Sequence, residues 1–377
     1  MKKVSLFLIF ALLLSLLSGC ASMALPGLPA FTAAPTAPAP TAPASTAPAL
    51  TMPAPTAPAS TTPAPTAPTE PHETRPEETS RPELPSGEVH PMLFHVTGPE
   101  GQEGYLFGTI HVGDARIDTV LELLKPYLDR CDALAVEFDL LAYEKDLGAQ
   151  MKSMTQFVLT DGSKASDHMP EELFQRASAL LSEAGLIPNL MQSYNLAMWS
   201  QLVEQAAVMT RSSYNSETGM DRSLIQYCYE KQIPVRDVES AEFQYSLLAG
   251  FSDELNLLLI ESTLDNLDTY GESIDELYNA WLSGDYARIV EVLNEETEED
   301  EELTEEQIAL LEDYNDKLLT QRNLGMRDKA LEWLKAGDKV FFAVGAAHLV
   351  DEGGLVELLR AEGCTVEQIL GDSAHGE

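Results

Sequence analysis

The sequence contains no Cys-x-x-Cys pair, no His-Glu-x-x-His and no Gly-x-Ser-x-Gly. The first absence, with only four cysteines in 377 residues, leaves no thiolate zinc site and no disulfide framework to build a fold on. The second excludes a helix-borne zinc protease of the usual pattern, and the third a serine hydrolase built on a nucleophile elbow. Cations are scarce too: 23 Lys and Arg stand against 61 Asp and Glu, a formal charge of −38. Such a chain repels phosphate, which argues against nucleic acid and anionic lipid as partners. Beyond residue 20 no run approaches the roughly 18 continuous apolar residues of a membrane span.

What is present divides the chain sharply. "MKKVSLFLIFALLLSLLSGC" has a basic start, a short apolar stretch and small residues at its end, the composition of a secretory signal. Residues 1–19 are therefore expected to be a signal peptide. Leu17-Ser18-Gly19-Cys20 resembles the lipobox of bacterial lipoproteins, which implies a lipidated Cys20 and an extracytoplasmic protein tethered to the cell membrane. An ordinary cleaved signal or a short membrane helix is the alternative. "PAPTAPAST" then occurs at 38–46 and again at 53–61, with "PAPTAPTEP" at 63–71. Proline this frequent removes amide donors and favours extended polyproline II, so residues 20–89 read as a stalk without a core. At about 3.1 Å per residue the stalk would reach on the order of 200 Å when extended. Its Ser and Thr content suits O-glycosylation on composition alone.

Residues 90–372 are left to fold. "PMLFHVTG" and "GYLFGTIH" read as a hairpin around "PEGQEG". Asp118 to Asp129 has a helical period, with Val120, Leu121, Leu124 and Leu128 on one face. "DALAVEFD", "IPVRDVE", "DKVFFAVG" and "CTVEQIL" read as strands, and most of 143–209 and 241–333 as helix. Strands at both ends around a helical middle indicate an α/β domain: a central mixed β-sheet flanked by helices, with a large helical insertion. Trp199, Trp281 and Trp333 fall within helical patterns and are expected in the core. Cys131, Cys228 and Cys364 are expected as buried free thiols. The acidic run Asn294 to Gln307 lacks the turn glycine of a calcium loop, and reads as a solvated loop leading into a helix.

Two strands end alike, "LFGTIH" on His111 and "FAVGAAH" on His348. Gly108 and Gly345 allow the backbone to turn sharply, or to approach a ligand, just before each histidine. Ligands of open α/β sheets lie beyond the carboxyl ends of strands. Glu137 and Glu239 end two further strands, so four tips carry His, Glu, Glu and His. Two imidazoles and a carboxylate can hold a divalent metal with open positions. Alternatively one histidine acts as a general base toward water, oriented by a glutamate.

"LFGTIHVGD", "AVEFD", "GMDRSL", "VESAEFQ", "RN" at 322–323 and "VGAAHLVDEGGLVELLRAEGCTV", in that order, resemble the TraB/GumN family, which includes the Tiki proteins. The resemblance implies a fold similar to that of erythromycin esterases and the haem-binding lipoprotein ChaN. It implies a metal-dependent peptidase in which His111, Glu137 and His348 hold a divalent ion, with manganese, cobalt and zinc the candidates. A peptide or small molecule would be the substrate, with Arg322 facing the oxyanion. Asp221, Glu239, Gln244 and Arg322 fall on family motif positions, with blander roles open to each: orienting a helix, pairing Glu239 with Arg322, lining a pocket. Cys364 departs from the aromatic residue often found there, a matter of packing. A peptide- or haem-sequestering protein and a metal-free hydrolase with a histidine base stand as alternatives. On the leading reading the two rings converge within roughly 7 Å and remain partly open to water.

Overall fold

The computed structural model describes residues 89–293, 303–351 and 353–369. The residues expected to form a signal peptide, Cys20, the expected proline-rich stalk and most of the acidic run lie outside them.

Strands β1 (Leu93–Thr97) and β2 (Glu103–Thr109) form the expected hairpin, in register Leu93↔Phe107. Its turn uses Gly101 at φ +86°, a left-handed conformation that glycine adopts without penalty. β3 (Ala133–Val136), β4 (Val235–Asp237), β5 (Val340–Gly345) and β6 (Thr365–Gln368) complete a six-stranded sheet in the order β4-β3-β5-β2-β1-β6. β4, β3, β5 and β2 run parallel, while β1 is antiparallel to both β2 and β6. The sheet is therefore mixed, as the sequence pattern indicates.

The central strands are apolar throughout because both faces of the sheet are covered. On one face Tyr105, Phe107 and Phe341 form a ring cluster that meets Tyr127 and Trp281. These two come from helices α1 (Ile117–Leu128) and a later helix of the insertion, Tyr270–Ser283. On the other face Phe342 meets Trp333, and Leu106 shares an apolar pocket with Leu334, Leu355 and Leu359. In α1 Ile117 is buried, whereas Leu121 is only half-buried, contrary to its place on the expected apolar face. Trp199 and Trp281 are core residues, but Trp333 is half-buried, with Arg236 over its ring. That corrects the expectation for the third tryptophan, whose ring is shared between Phe342 of the sheet and the Arg236 guanidinium.

The helices that reach the carboxyl edge of the sheet, or build the layer behind it, are α2 (Leu196–Arg211), α3 (Met220–Lys231), α4 (Ala241–Ala249), α5 (Asp253–Asp265) and α6 (Gln321–Ala336). α2 and α3 lie between β3 and β4; α4, α5 and α6 lie between β4 and β5. Side-chain caps define several of their starts. Asn195, Ser240 and Ser252 each accept the backbone N–H three residues on, which satisfies a donor the helix leaves free. The acidic run does lead into a helix, Glu305–Asn315, capped by Thr304 and Gln307.

The helical layer contains one buried acid. Glu204 of α2 is 2% exposed and accepts hydrogen bonds from Tyr270 and Thr263. Burial pushes its pKa up to about 7, against the pull of those two hydrogen bonds. A folded-state value above the ordinary 4.5 means that the carboxyl contributes stability in full below about pH 4.5, and that this contribution is lost as pH rises to about 7. The shift corresponds to about 3 kcal/mol. Measured by denaturant unfolding at pH 5 and pH 8, Glu204→Gln should gain about 2–3 kcal/mol on the wild type across that range. An unchanged difference would show that Glu204 is not held protonated.

Candidate active site at the carboxyl edge of the sheet

β2 and β5 are adjacent and parallel, with Gly108 opposite Val344 and Thr109 opposite Gly345. Each strand then runs out within three residues of its histidine, His348 lying in the short turn Ala346–His348. β3 flanks β5 on the other side, and Glu137 is the first residue beyond it. Strand order alone therefore sets Glu137, His348 and His111 side by side.

Both glycines have a local cause. A Cβ on Gly108 would lie 2.3 Å from Met92 Cε and 3.1 Å from Ala346 Cα, so a side chain there would displace Met92 and press on the start of the histidine turn. A Cβ on Gly345 would lie 3.3 Å from His111 Nε2, 3.4 Å from Glu137 Oε1 and 3.7 Å from His348 Cδ2. The missing side chain of Gly345 is the gap that these three groups surround.

Each imidazole is held by its other nitrogen. His111 Nδ1 lies 2.7 Å from Asp221 Oδ2, and Thr109 donates to Asp221 Oδ1 at 2.8 Å. Asp221 sits in the first turn of α3, where the helix dipole favours a negative charge. α3 approaches this closely because Gly219, before it, lacks a Cβ, which would lie 2.4 Å from the His111 carbonyl oxygen. His348 Nδ1 lies 2.6 Å from Asn323 Oδ1 of α6. Both Nε2 atoms are buried and have no hydrogen-bond partner among the described residues. Unpaired buried polar atoms are rare enough to call for a functional account.

Glu137 and Glu239 share one cation. Arg322 Nη2 donates to Glu137 Oε2 at 2.6 Å and to Glu239 Oε2 at 2.8 Å, and Arg322 Nε to both Glu239 oxygens. Gln244 of α4 donates to Oε2 of both glutamates. Glu137 Oε1 accepts the Gly345 N–H at 3.0 Å and stands 3.8 Å from His348 Nε2. Arg322 Nη1 reaches the Leu318 carbonyl, in the π-helical turn Asp316–Thr320 ahead of α6. The guanidinium is thus committed to two carboxylates and a backbone oxygen. In this arrangement Arg322 balances the charge of both glutamates, and its pairing with Glu239 is the blander of the roles open to it from the sequence.

The electrostatics follow from these contacts. Burial works to lower the His111 pKa, but the charge and hydrogen bond of Asp221, with Glu137, outweigh it and raise the value. Burial, reinforced by Arg322, lowers His348 to about 3 despite Glu137. Burial opposes ionisation of Glu137, yet Arg322 and the two histidines hold it well below the usual carboxylate range. The histidines are unequal: one favours a proton and the other refuses it.

The site is closed. His111, Glu137 and His348 are 3%, 6% and 1% exposed, against the expected partial opening to water. α4, α6 and the start of α3 each press a polar side chain onto the strand tips, and this covering is a property of tertiary packing. Among the described residues no three His, Cys, Asp or Glu side chains already form a metal cage. The donor types nevertheless suit a divalent ion: His111 Nε2 and Glu137 Oε1 border the space at Gly345, His348 Nε2 stands 3.8 Å from that oxygen, and each ring is oriented through its second nitrogen.

Thr109 and Asn323 belong to the site and had no role assigned from the sequence. Asn323 directly follows Arg322, and its place beside a motif arginine was the available signal. A second imidazole pairs with a serine: His168 Nε2 lies 2.8 Å from Ser163 Oγ, and His168 Nδ1 lies 3.3 Å from Asp253. That serine, however, donates its proton to Asp161 at 2.6 Å, and its own N–H goes to the same carboxylate. A nucleophile needs its proton on the imidazole side, so this group is a local turn.

The TraB/PrgY/gumN family model matches residues 92–368. The uncharacterized protein YbaP of Shigella flexneri is 28% identical over 267 residues, covering 70% of this chain and 90% of its own. The uncharacterized protein YbaP of Escherichia coli (strain K12) matches to the same extent. No solved structure matches.

Removing one partner of a buried ion pair strands the other charge. Arg322→Met leaves Glu137 and Glu239 uncompensated and should destabilise the domain by about 3–5 kcal/mol in chemical denaturation. Adding Glu137→Gln and Glu239→Gln to that variant should restore most of the loss. A single variant as stable as wild type would mean that the arginine does not neutralise the pair.

Proposed function

This chain belongs to the TraB/PrgY/gumN family, and we propose that it is a metal-dependent hydrolase of peptides, tethered outside the cytoplasm through a lipidated Cys20. The observation that carries the reading is the pair of buried Nε2 atoms without a partner among the described residues, His111 Nε2 beside Gly345 with Glu137 Oε1, and His348 Nε2 3.8 Å from that same oxygen. His111 Nε2, His348 Nε2 and Glu137 Oε1 would hold a divalent ion, of manganese, cobalt or zinc type, which when bound acidifies water and polarises a carbonyl. The proposal extends to a fold akin to that of erythromycin esterases and ChaN.

The chain's own residues have separable tasks. Asp221 and Asn323 take the Nδ1 sides of the two rings, which leaves Nε2 of each as the nitrogen on the Glu137 side. Arg322 and Gln244 keep Glu137 ionised and fixed in a site that excludes bulk water. Gly345 leaves room for the reacting group and pins Glu137 Oε1 through its N–H. His111, paired with Asp221 and with a raised pKa, is the ring suited to hold a proton in turnover. That last observation also favours a second reading, a metal-free hydrolase with His111 as base.

The test is mass-spectrometric profiling of peptide cleavage by the purified full chain, with and without chelator. Cleavage should be lost with chelator and restored by manganese, cobalt or zinc. His111→Ala and His348→Ala should each lower turnover by about 100-fold or more at unchanged melting temperature. Gly345→Ala, which puts a methyl into the gap, should do the same. Cleavage that survives chelator but not His111→Ala would select the metal-free base, and peptide binding without cleavage would sink both hydrolase readings.

A further inference from the structure

We infer that Asn323 is a positioning residue: it holds His348 in the tautomer with the proton on Nδ1, which leaves the lone pair on Nε2, the nitrogen nearer Glu137 Oε1. For its consequences in metal binding this rests on the hydrolase reading; as a statement about the imidazole it stands alone.

A neutral imidazole has one N–H and one lone pair, and its neighbours decide which nitrogen has which. His348 lies between two acceptors. On the Nδ1 side Asn323 Oδ1 is 2.6 Å away; on the Nε2 side Glu137 Oε1 is 3.8 Å away. A carboxylate beside Nε2 draws the proton to that nitrogen, where it would fill the gap and remove the lone pair. The amide must win this competition for the site to present a donor atom.

Asn323 can win only if its oxygen, and not its nitrogen, faces the ring. The orientation is set from behind. Asn323 Nδ2 lies 2.9 Å from the Gly353 carbonyl oxygen, which can only accept. The amide nitrogen must therefore point at Gly353 and the amide oxygen at His348. Asn323 is 3% and His348 1% exposed, so water does not offer a competing arrangement. The relay runs from the loop after His348, through the α6 side chain, and back to the ring. An amide suits this ring better than a second carboxylate: Glu137 and Glu239 already share a single arginine, and a third buried negative charge would be uncompensated.

The experiment is two-bond 1H–15N correlation on the full chain labelled with 15N-histidine, assigned through His348→Gln and run beside Mn2+ titration calorimetry. Wild type should show His348 protonated on Nδ1. Asn323→Leu, similar in size but without an acceptor, should move the proton to Nε2 and weaken Mn2+ binding about 10- to 100-fold. Asn323→Asp keeps an oxygen at the same place and should keep the Nδ1 tautomer. A wild-type ring protonated on Nε2 overturns the inference even if neither variant folds. So does an Nδ1 proton that persists in folded Asn323→Leu. If the tautomer behaves as stated but wild type binds no Mn2+, the positioning role stands and the metal-dependent reading fails.

Discussion

The parallel pairing of β2 with β5, flanked by β3, is the constraint on which the rest of the site depends. Parallel strands in register end together, so residues that lie just past each strand share one edge. Here that edge receives an imidazole from β2, an imidazole from β5 and a carboxylate from β3. Had β2 been antiparallel to β5, His111 would lie at the opposite edge of the sheet. Each glycine that precedes a histidine serves the same end: Gly108 lets β2 pass close to Ala346, and Gly345 leaves the space the three groups share.

Burial then imposes a charge balance. Two carboxylates placed in a closed site would be protonated or would unfold it, and Arg322 removes both outcomes by bonding to each. The two imidazoles, equivalent by motif, become unequal through their supports. A carboxylate behind His111 raises its proton affinity, while burial and the nearby arginine keep His348 neutral. A pair of groups driven apart in this way is the arrangement that acid–base chemistry at one pH requires.

The strand tips were legible because two apolar runs stop on Gly-x-x-His, where either alone would more often be a core histidine, and Glu137 and Glu239 ended strands in the same manner. The pairing of Glu239 with Arg322 was legible as the blander of two readings. The closure of the site was not, because it comes from α3, α4 and α6, whose packing on the sheet edge leaves no local pattern. Asn323 escaped for a related reason: an asparagine in a helix is usually a surface residue, and only the loop carbonyl of Gly353 gives it a fixed orientation. Trp333 was misplaced because helical periodicity marks a buried stripe without saying that the covering layer is thin there. A likeness to erythromycin esterases and ChaN remains part of the proposal, because no solved structure matches the chain.

Anomalous diffraction from crystals of the protein soaked in manganese tests the central claim most directly, that the sheet aims two imidazole lone pairs and Glu137 at one ion. The account predicts a single strong peak at about 2.0–2.3 Å from Nε2 of both His111 and His348, with Glu137 Oε1 completing the set. The absence of a peak there at saturating manganese, with both rings still facing Gly345, would contradict it.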